Sequence, residues 1–339
     1  MLSSWQRNVR NQVYVLRFRA CNFAGPSQML CTLFLRPPSY PGNARRERQR
    51  ADGPIVIRGN NEAQTASDTN STGCVGRAPD QAGYQLACTE VWSGNNISDE
   101  LLKLPGLAGL VHSKPVESAT SGGDVYYVSV CDKRVLSRVV LADVAGHGEA
   151  VARISTRLRM LVKKYINTFD QSALMREINE AFYRQDEDLA QYATAVVLSH
   201  DCRTGELIFT SAGHPPTLWY HARQKEWGWL RERTTDSVKT FEGLPLGLVH
   251  GTEYEQTRVR LAGGDLLILY TDGITECANK TDKELGYEGL RDLLRGLPVE
   301  PSIATASALV AAVEEFRGST PCRDDQSVIV LQQTDGCLS

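Results

Sequence analysis

The chain of 339 residues has no CxxC pair among its nine cysteines, no apolar run of the roughly 18 residues that a membrane span needs, and no lysine before Lys103. The odd, scattered cysteines argue against a zinc ribbon or a disulfide framework and favour a reducing, cytoplasmic setting. None of them opens a CxxxxxR loop, which argues against a thiol nucleophile in phosphate chemistry. A glycine-rich GxxxxGKS cradle for a nucleoside triphosphate is also missing. The formal net charge of −3 makes no general case for nucleic acid as a partner.

What is present divides unevenly. The first hundred residues are rich in arginine, with Arg36, Arg45, Arg46, Arg48 and Arg50 in one Pro/Gly/Arg stretch, and their first acidic residue is Glu47. A polar tract from Asn60 to Gly73 follows, with little apolar material to bury. Residues 1–82 are therefore expected to be a largely disordered arm, in which only Val13 to Leu16 and Met29 to Leu35 could form local structure. Residues 83–334 read as one compact domain.

Within that domain, Val125 to Val130 and Val135 to Val144 are β-branched or aromatic runs around Cys131-Asp132-Lys133-Arg134, which predicts a hairpin. A long helix is expected from about Gly148, with Val151, Ile154, Leu158, Leu161, Val162 and Tyr165 on one face. Arg153, Arg157, Lys163 and Lys164 lie elsewhere around it. A second helix, about Ser172 to Gln185, repeats the pattern. Strands return at Ala193 to Ser199, Leu207 to Ser211, Thr217 to Tyr220, Tyr254 to Leu261 and Asp265 to Tyr270. Helices at Tyr287 to Leu294 and Ile303 to Phe316 precede a last strand, Ser327 to Gln332. Hairpins and paired helices point to an α+β fold of antiparallel sheets flanked by helices rather than a doubly wound parallel sheet.

Four acidic motifs stand where strand-like runs end: SGGD with Asp124, LADVAGHG with Asp143, LYTDG with Asp272 and CRDDQS with Asp324 and Asp325. Any one aspartate after a strand is ordinarily a turn former or a helix cap. Together they supply hard oxygen ligands of the kind Mg²⁺ or Mn²⁺ takes. Asp143 and Asp272 each follow an apolar strand, where an uncompensated carboxylate is costly. Of the neighbouring pair, Asp324 is the favoured ligand and Asp325 is expected to orient it or to bind a further ion.

These motifs, with SAGHPP, GLPLG and DDQSVIVL in the same order, resemble the SpoIIE-type branch of the PPM (protein phosphatase type 2C) serine/threonine phosphatases over about Pro105 to Gln332. The resemblance implies an αββα sandwich with two Mn²⁺ or Mg²⁺ ions between the sheets. It implies that Asp143 bridges the ions, that Val144 offers its backbone carbonyl, and that Asp124, Asp272 and Asp324 complete the cluster. Asp143 and Asp272 are then the catalytic acids, with Asp325, Gly273 and His147 as secondary candidates. The implied reaction is attack of a metal-bridging hydroxide on a phosphoserine or phosphothreonine protein, such as an anti-sigma-factor antagonist in bacterial partner switching. A noncatalytic regulatory module of the same fold is the alternative from a different class. The chain departs from relatives in three ways: His147 lies four residues after Asp143 rather than two, Tyr127 stands where a second carboxylate is usual, and no arginine can be assigned as a phosphate clamp.

Overall fold

The computed structural model describes residues 4–9, 12–17, 88–94, 96–116, 121–131, 135–146, 149–183, 191–230, 243–299 and 301–334. The chain forms two compact units, Met1–Gly73 and Cys74–Ser339. In the first, strands β1 (Ser4–Val9) and β2 (Gln12–Arg17) pair as an antiparallel hairpin that includes Val13 to Leu16. The rest of the expected arm, Met29 to Leu35 among it, lies outside the described residues.

The second unit runs β3 (Cys88–Gly94), β4 (Ser98–Leu104), β5 (Leu107–Lys114), β6 (Asp124–Cys131) and β7 (Leu136–Val144), then helices α1 (Glu149–Tyr165) and α2 (Gln171–Phe182). Strands β8 (Ala193–Asp201), β9 (Glu206–Ala212), β10 (Leu218–His221), β11 (Glu226–Trp229), β12 (Thr257–Arg260) and β13 (Leu266–Tyr270) follow. The chain then forms the short helix α3 (Asp272–Thr275), helices α4 (Gly286–Arg295) and α5 (Ser302–Arg317), and the last strand β14 (Gln326–Gln333). One antiparallel sheet has the order β12-β9-β8-β7-β6-β3 and the other β11-β10-β13-β14-β5-β4.

The central strands lack polar alternation because both of their faces are buried. In β6, Tyr126, Val128 and Val130 point into the core between the sheets, where they meet Val139, Leu141, Leu267, Leu269, Ile329 and Leu331. Val125 and Tyr127 point the other way, under Leu158, Val162, Leu174 and Ile178 of α1 and α2. Leu290 and Leu294 of α4, with Leu309 and Val313 of α5, cover Ile268, Val328 and Val330 on the outer face of the second sheet. The layers are helix, sheet, sheet and helix, as expected.

The structure also differs from the pattern reading. Strands β4 and β5 form a hairpin that periodicity did not suggest, because Asp99, Glu100 and Lys103 interrupt the apolar pattern of an edge strand. The run from Tyr254 to Leu261 is strand only over Thr257–Arg260. Arg157 is no solvent-facing helix charge: it donates to the Ala181 carbonyl (2.7 Å) and its guanidinium lies 5.5 Å from the centre of the Phe182 ring, tying α1 to the end of α2. Cys202 is disulfide-bonded, which the expectation of a reducing setting did not include, while Cys277 and Cys322 are free thiols. No helix among the described residues is long and apolar enough to cross a membrane.

Candidate metal centre

Asp124 opens β6 and Asp143 lies near the end of β7, and the ladder places them directly opposite each other. The next strand continues the row with Thr194, opposite Asp143 on β8. Directly opposed residues share a face, and two like charges opposed in this way repel. Their face looks into the space between the sheets, since the side chains two residues further along β6 and two residues back along β7, Tyr126 and Leu141, belong to the central core.

From the other sheet, β13 ends at Tyr270 and hands over to Thr271 and Asp272. Thr271 donates its hydroxyl to Asp124 Oδ2 (2.8 Å). Asp272 begins α3, and its side chain lies beside that of Asp143. The two sheets thus meet through their acids. Asp124 is buried, and its Oδ1 has no hydrogen-bond partner among the described residues.

The Asp324-Asp325 pair divides its work. Asp325 is buried and accepts from the backbone N–H of Val116 at Oδ1 (2.6 Å) and of Gly123 at Oδ2 (2.5 Å). Both of its oxygens are therefore engaged in holding the SGGD loop against β14. Asp324 accepts from the Asp325 N–H at Oδ1 (2.8 Å). Two glycines make the approach possible. A Cβ on Gly122 would strike the Asp325 carboxylate, and one on Gly273 would strike the Asp325 backbone carbonyl. The loop is also held from the helix layer, where Ser155 of α1 donates to the Gly122 carbonyl (2.8 Å).

Burial holds Asp124 and Asp143 well above the usual carboxylate range and raises Asp272 as well. For Asp143 the charges of Asp124, Asp272, Asp324 and Asp325 add to the effect. At the rim, burial and the charges of Asp272, Glu284 and Asp324 push Glu276 up to about 7. Carboxylates arranged in this way are stable either by holding protons or by holding cations. Among the described residues no three His, Cys, Asp or Glu side chains converge on one point by themselves. Backbone carbonyls and water are ordinary additional ligands for a hard cation. A bare buried carboxylate oxygen within an all-oxygen donor set fits Mg²⁺ or Mn²⁺.

Asp124, Asp143, Asp272 and Asp324 all lie at this end of the sandwich. The Val144 N–H approaches the Gly123 carbonyl (3.4 Å), so its peptide lies beside the loop. Asp325 is placed as a clamp, and Gly273 as the point of close approach. His147 lies outside the described residues. Tyr127, three residues after Asp124, points to the helix layer, so a carboxylate at that position would face away from the row. His214 is buried with Nδ1 2.9 Å from Thr194 Oγ1, and burial lowers it to about 3, so it stays neutral. Motif reading missed the hydroxyls of Thr271, Ser327 and Ser113; the one signal available was a hydroxyl residue immediately before Asp272 and two residues after Asp325.

A four-layer sandwich with acids at one end of two facing sheets is the architecture of PP2C-type phosphatase domains. The PP2C domain of SiaA from Pseudomonas aeruginosa is similar in structure, with a TM-score of 0.56 and 24% identity over 66% of this chain and 85% of that one. Residues 135–334 match the family model of Stage II sporulation protein E (SpoIIE), and the chain belongs to that family. The match takes in Asp143, Asp272 and Asp324 and begins after Asp124. The phosphoserine phosphatase RsbP of Bacillus subtilis is 25% identical over 219 residues, 63% of this chain and 50% of its own length. The phosphoserine phosphatase RsbU of the same organism is 25% identical over 193 residues, 56% of this chain and 54% of its own. The chain spans about half the length of these two relatives.

Proposed function

We propose that this chain is a metal-dependent protein serine/threonine phosphatase that acts on a phosphoserine or phosphothreonine protein in partner-switching signalling. The observation that carries the reading is the meeting of Asp143 and Asp272 across the two sheets beside the bare Oδ1 of Asp124. Its family membership and the two phosphoserine phosphatases it resembles support the substrate class. Two Mn²⁺ or Mg²⁺ ions, held by Asp124, Asp143, the Val144 carbonyl, Asp272 and Asp324, would acidify the attacking water and draw charge from the phosphate.

The chain's own part is positional. Asp143 and Asp272, brought side by side from opposite sheets, would both serve as ligands. Asp325 and Ser155 hold the SGGD loop from two sides, which fixes where Asp124 starts. Gly273 lets α3 sit against the Asp325 peptide, which fixes Asp272. A phosphorylated anti-sigma-factor antagonist is the substrate this reading favours.

Release of inorganic phosphate from a phosphoserine protein of that type, with Mn²⁺ and with EDTA, tests the proposal. Turnover is expected with Mn²⁺ and none with EDTA. Asp143→Asn is expected to lose activity by at least about a hundredfold, as when a group made for the transition state is removed. Turnover undiminished by EDTA would overturn the metal reading. A folded, Mn²⁺-binding protein without turnover on any phosphoprotein would leave the noncatalytic module in its place.

A further inference from the structure

The core between the sheets is aliphatic and aromatic until the layer beneath the acids, where three neighbouring strands of the second sheet turn to hydroxyls. Ser113 of β5, Ser327 of β14 and Thr271 after β13 are all buried. Ser113 and Ser327 are directly opposite in the ladder, with their Oγ atoms 2.9 Å apart. Below them in the same strands come Val111, Ile329 and Leu269, all core residues. Hydroxyls buried in such a place cost free energy unless each one is hydrogen-bonded.

Their bonds run in one direction. The Ser327 N–H donates to Thr271 Oγ1 (3.0 Å), so an acceptor site of that hydroxyl is taken. Its single proton is committed to Asp124 Oδ2 at 2.8 Å. The Thr271 N–H donates back to the Ser327 carbonyl (3.1 Å), so the two residues are locked to each other through both backbone and side chain. The Ser327 hydroxyl lies close by and favours the charged form of Asp124. With Oδ2 occupied by the opposite sheet, Asp124 presents Oδ1, the oxygen that has no partner among the described residues.

We propose that Thr271, backed by Ser327 and Ser113, is a positioning residue that turns the Asp124 carboxylate so that Oδ1 alone faces a divalent cation. The inference rests on the metal-dependent reading above and adds residues that do not touch the ion. Groups that hydrogen-bond a ligating carboxylate set its orientation, and their loss commonly weakens metal binding without removing a ligand. A carboxylate free to rotate would have to be ordered by the ion itself.

The test measures binding of Mn²⁺ alone to the full-length chain, by calorimetry and by loss of the free-ion EPR signal. It compares wild type with Thr271→Val, Thr271→Ser and Ser327→Ala. Thr271→Val keeps the shape and removes the proton donor, and is expected to raise the Kd for Mn²⁺ about tenfold. Thr271→Ser restores the hydroxyl and is expected to bind within about twofold to threefold of wild type. Wild-type affinity in Thr271→Val overturns the proposal. Equal weakness in Thr271→Ser and Thr271→Val, with native circular dichroism in both, overturns it too, because shape rather than the hydroxyl would then matter. If Thr271→Val does not fold, Ser327→Ala decides: weaker Mn²⁺ binding supports the network and unchanged binding sinks it. A wild-type chain that binds no Mn²⁺ removes the metal-dependent reading itself, an outcome seen before any variant is made.

Discussion

Asp325 and Gly123, 202 residues apart in sequence, are joined at 2.5 Å by the Gly123 N–H donating to the Asp325 carboxylate. The same carboxylate holds the Val116 N–H at 2.6 Å, so one side chain at the head of β14 pins both ends of the loop between β5 and β6. Asp325→Ala would strand two amide donors beside a buried cavity. Each unsatisfied buried donor costs about 1–3 kcal/mol. The variant is expected to lose about 2 kcal/mol or more of stability to urea in EDTA. Its Mn²⁺ affinity is expected to fall with it, since Asp124 begins where that loop ends. An unchanged urea midpoint would show that the loop holds itself.

A second prediction concerns pH. Burial, with neighbouring carboxylates, raises Asp124, Asp143 and Asp272 in the folded chain. Above the ordinary Asp value of about 4, the fold therefore keeps protons that the unfolded chain has released. This contribution to stability is whole below the unfolded pKa and is lost as pH rises through the folded values. In EDTA the melting temperature is expected to drop between about pH 5 and about pH 8, and saturating Mn²⁺ should flatten or reverse that slope. Asp143→Asn should weaken the slope in EDTA, because the amide takes no charge. A melting temperature that climbs across this range in EDTA, for wild type and variant alike, would show that the acids do not dominate.

Much of this was legible in the residues. Asp143 and Asp272 stand at the ends of the apolar runs Val139 to Ala142 and Leu266 to Tyr270, whereas Asp124 and Asp324, also expected to end strands, lie where β6 and β14 begin. Helices α1 and α2 were legible because one face of each is apolar at helical spacing. Residues whose meaning depends on a distant partner were not. That Asp325 clamps the loop before Asp124 cannot be seen until the N–H groups of Val116 and Gly123 converge on it. Arg157 reads as one more helix charge until Ala181 and Phe182 close over it. Strand β4 is an edge, and its charges satisfy solvent on one side, so periodicity alone misses it.

Arg138 shows the same limit and supports a third prediction. It lies on β7, the strand that carries Asp143, and is fully buried. Its Nε donates to Ser199 Oγ (2.8 Å), and its Nη atoms donate to the carbonyls of Ile166 and Thr168 (2.6 Å each) and of Phe169 (2.9 Å). Those carbonyls follow the end of α1, where helical C=O groups have no partner within the helix. One planar guanidinium therefore ties the sheet that carries Asp143 to the far end of the helix whose Ser155 holds the SGGD loop. Arg138→Met keeps the bulk and removes the donors, and should cost about 3 kcal/mol or more in urea denaturation. Arg138→Lys should recover little of this, because an ammonium on a flexible stem cannot reproduce a planar fork aimed at several acceptors. Full recovery by lysine would mean that charge alone is required and that the geometry of the fork is incidental.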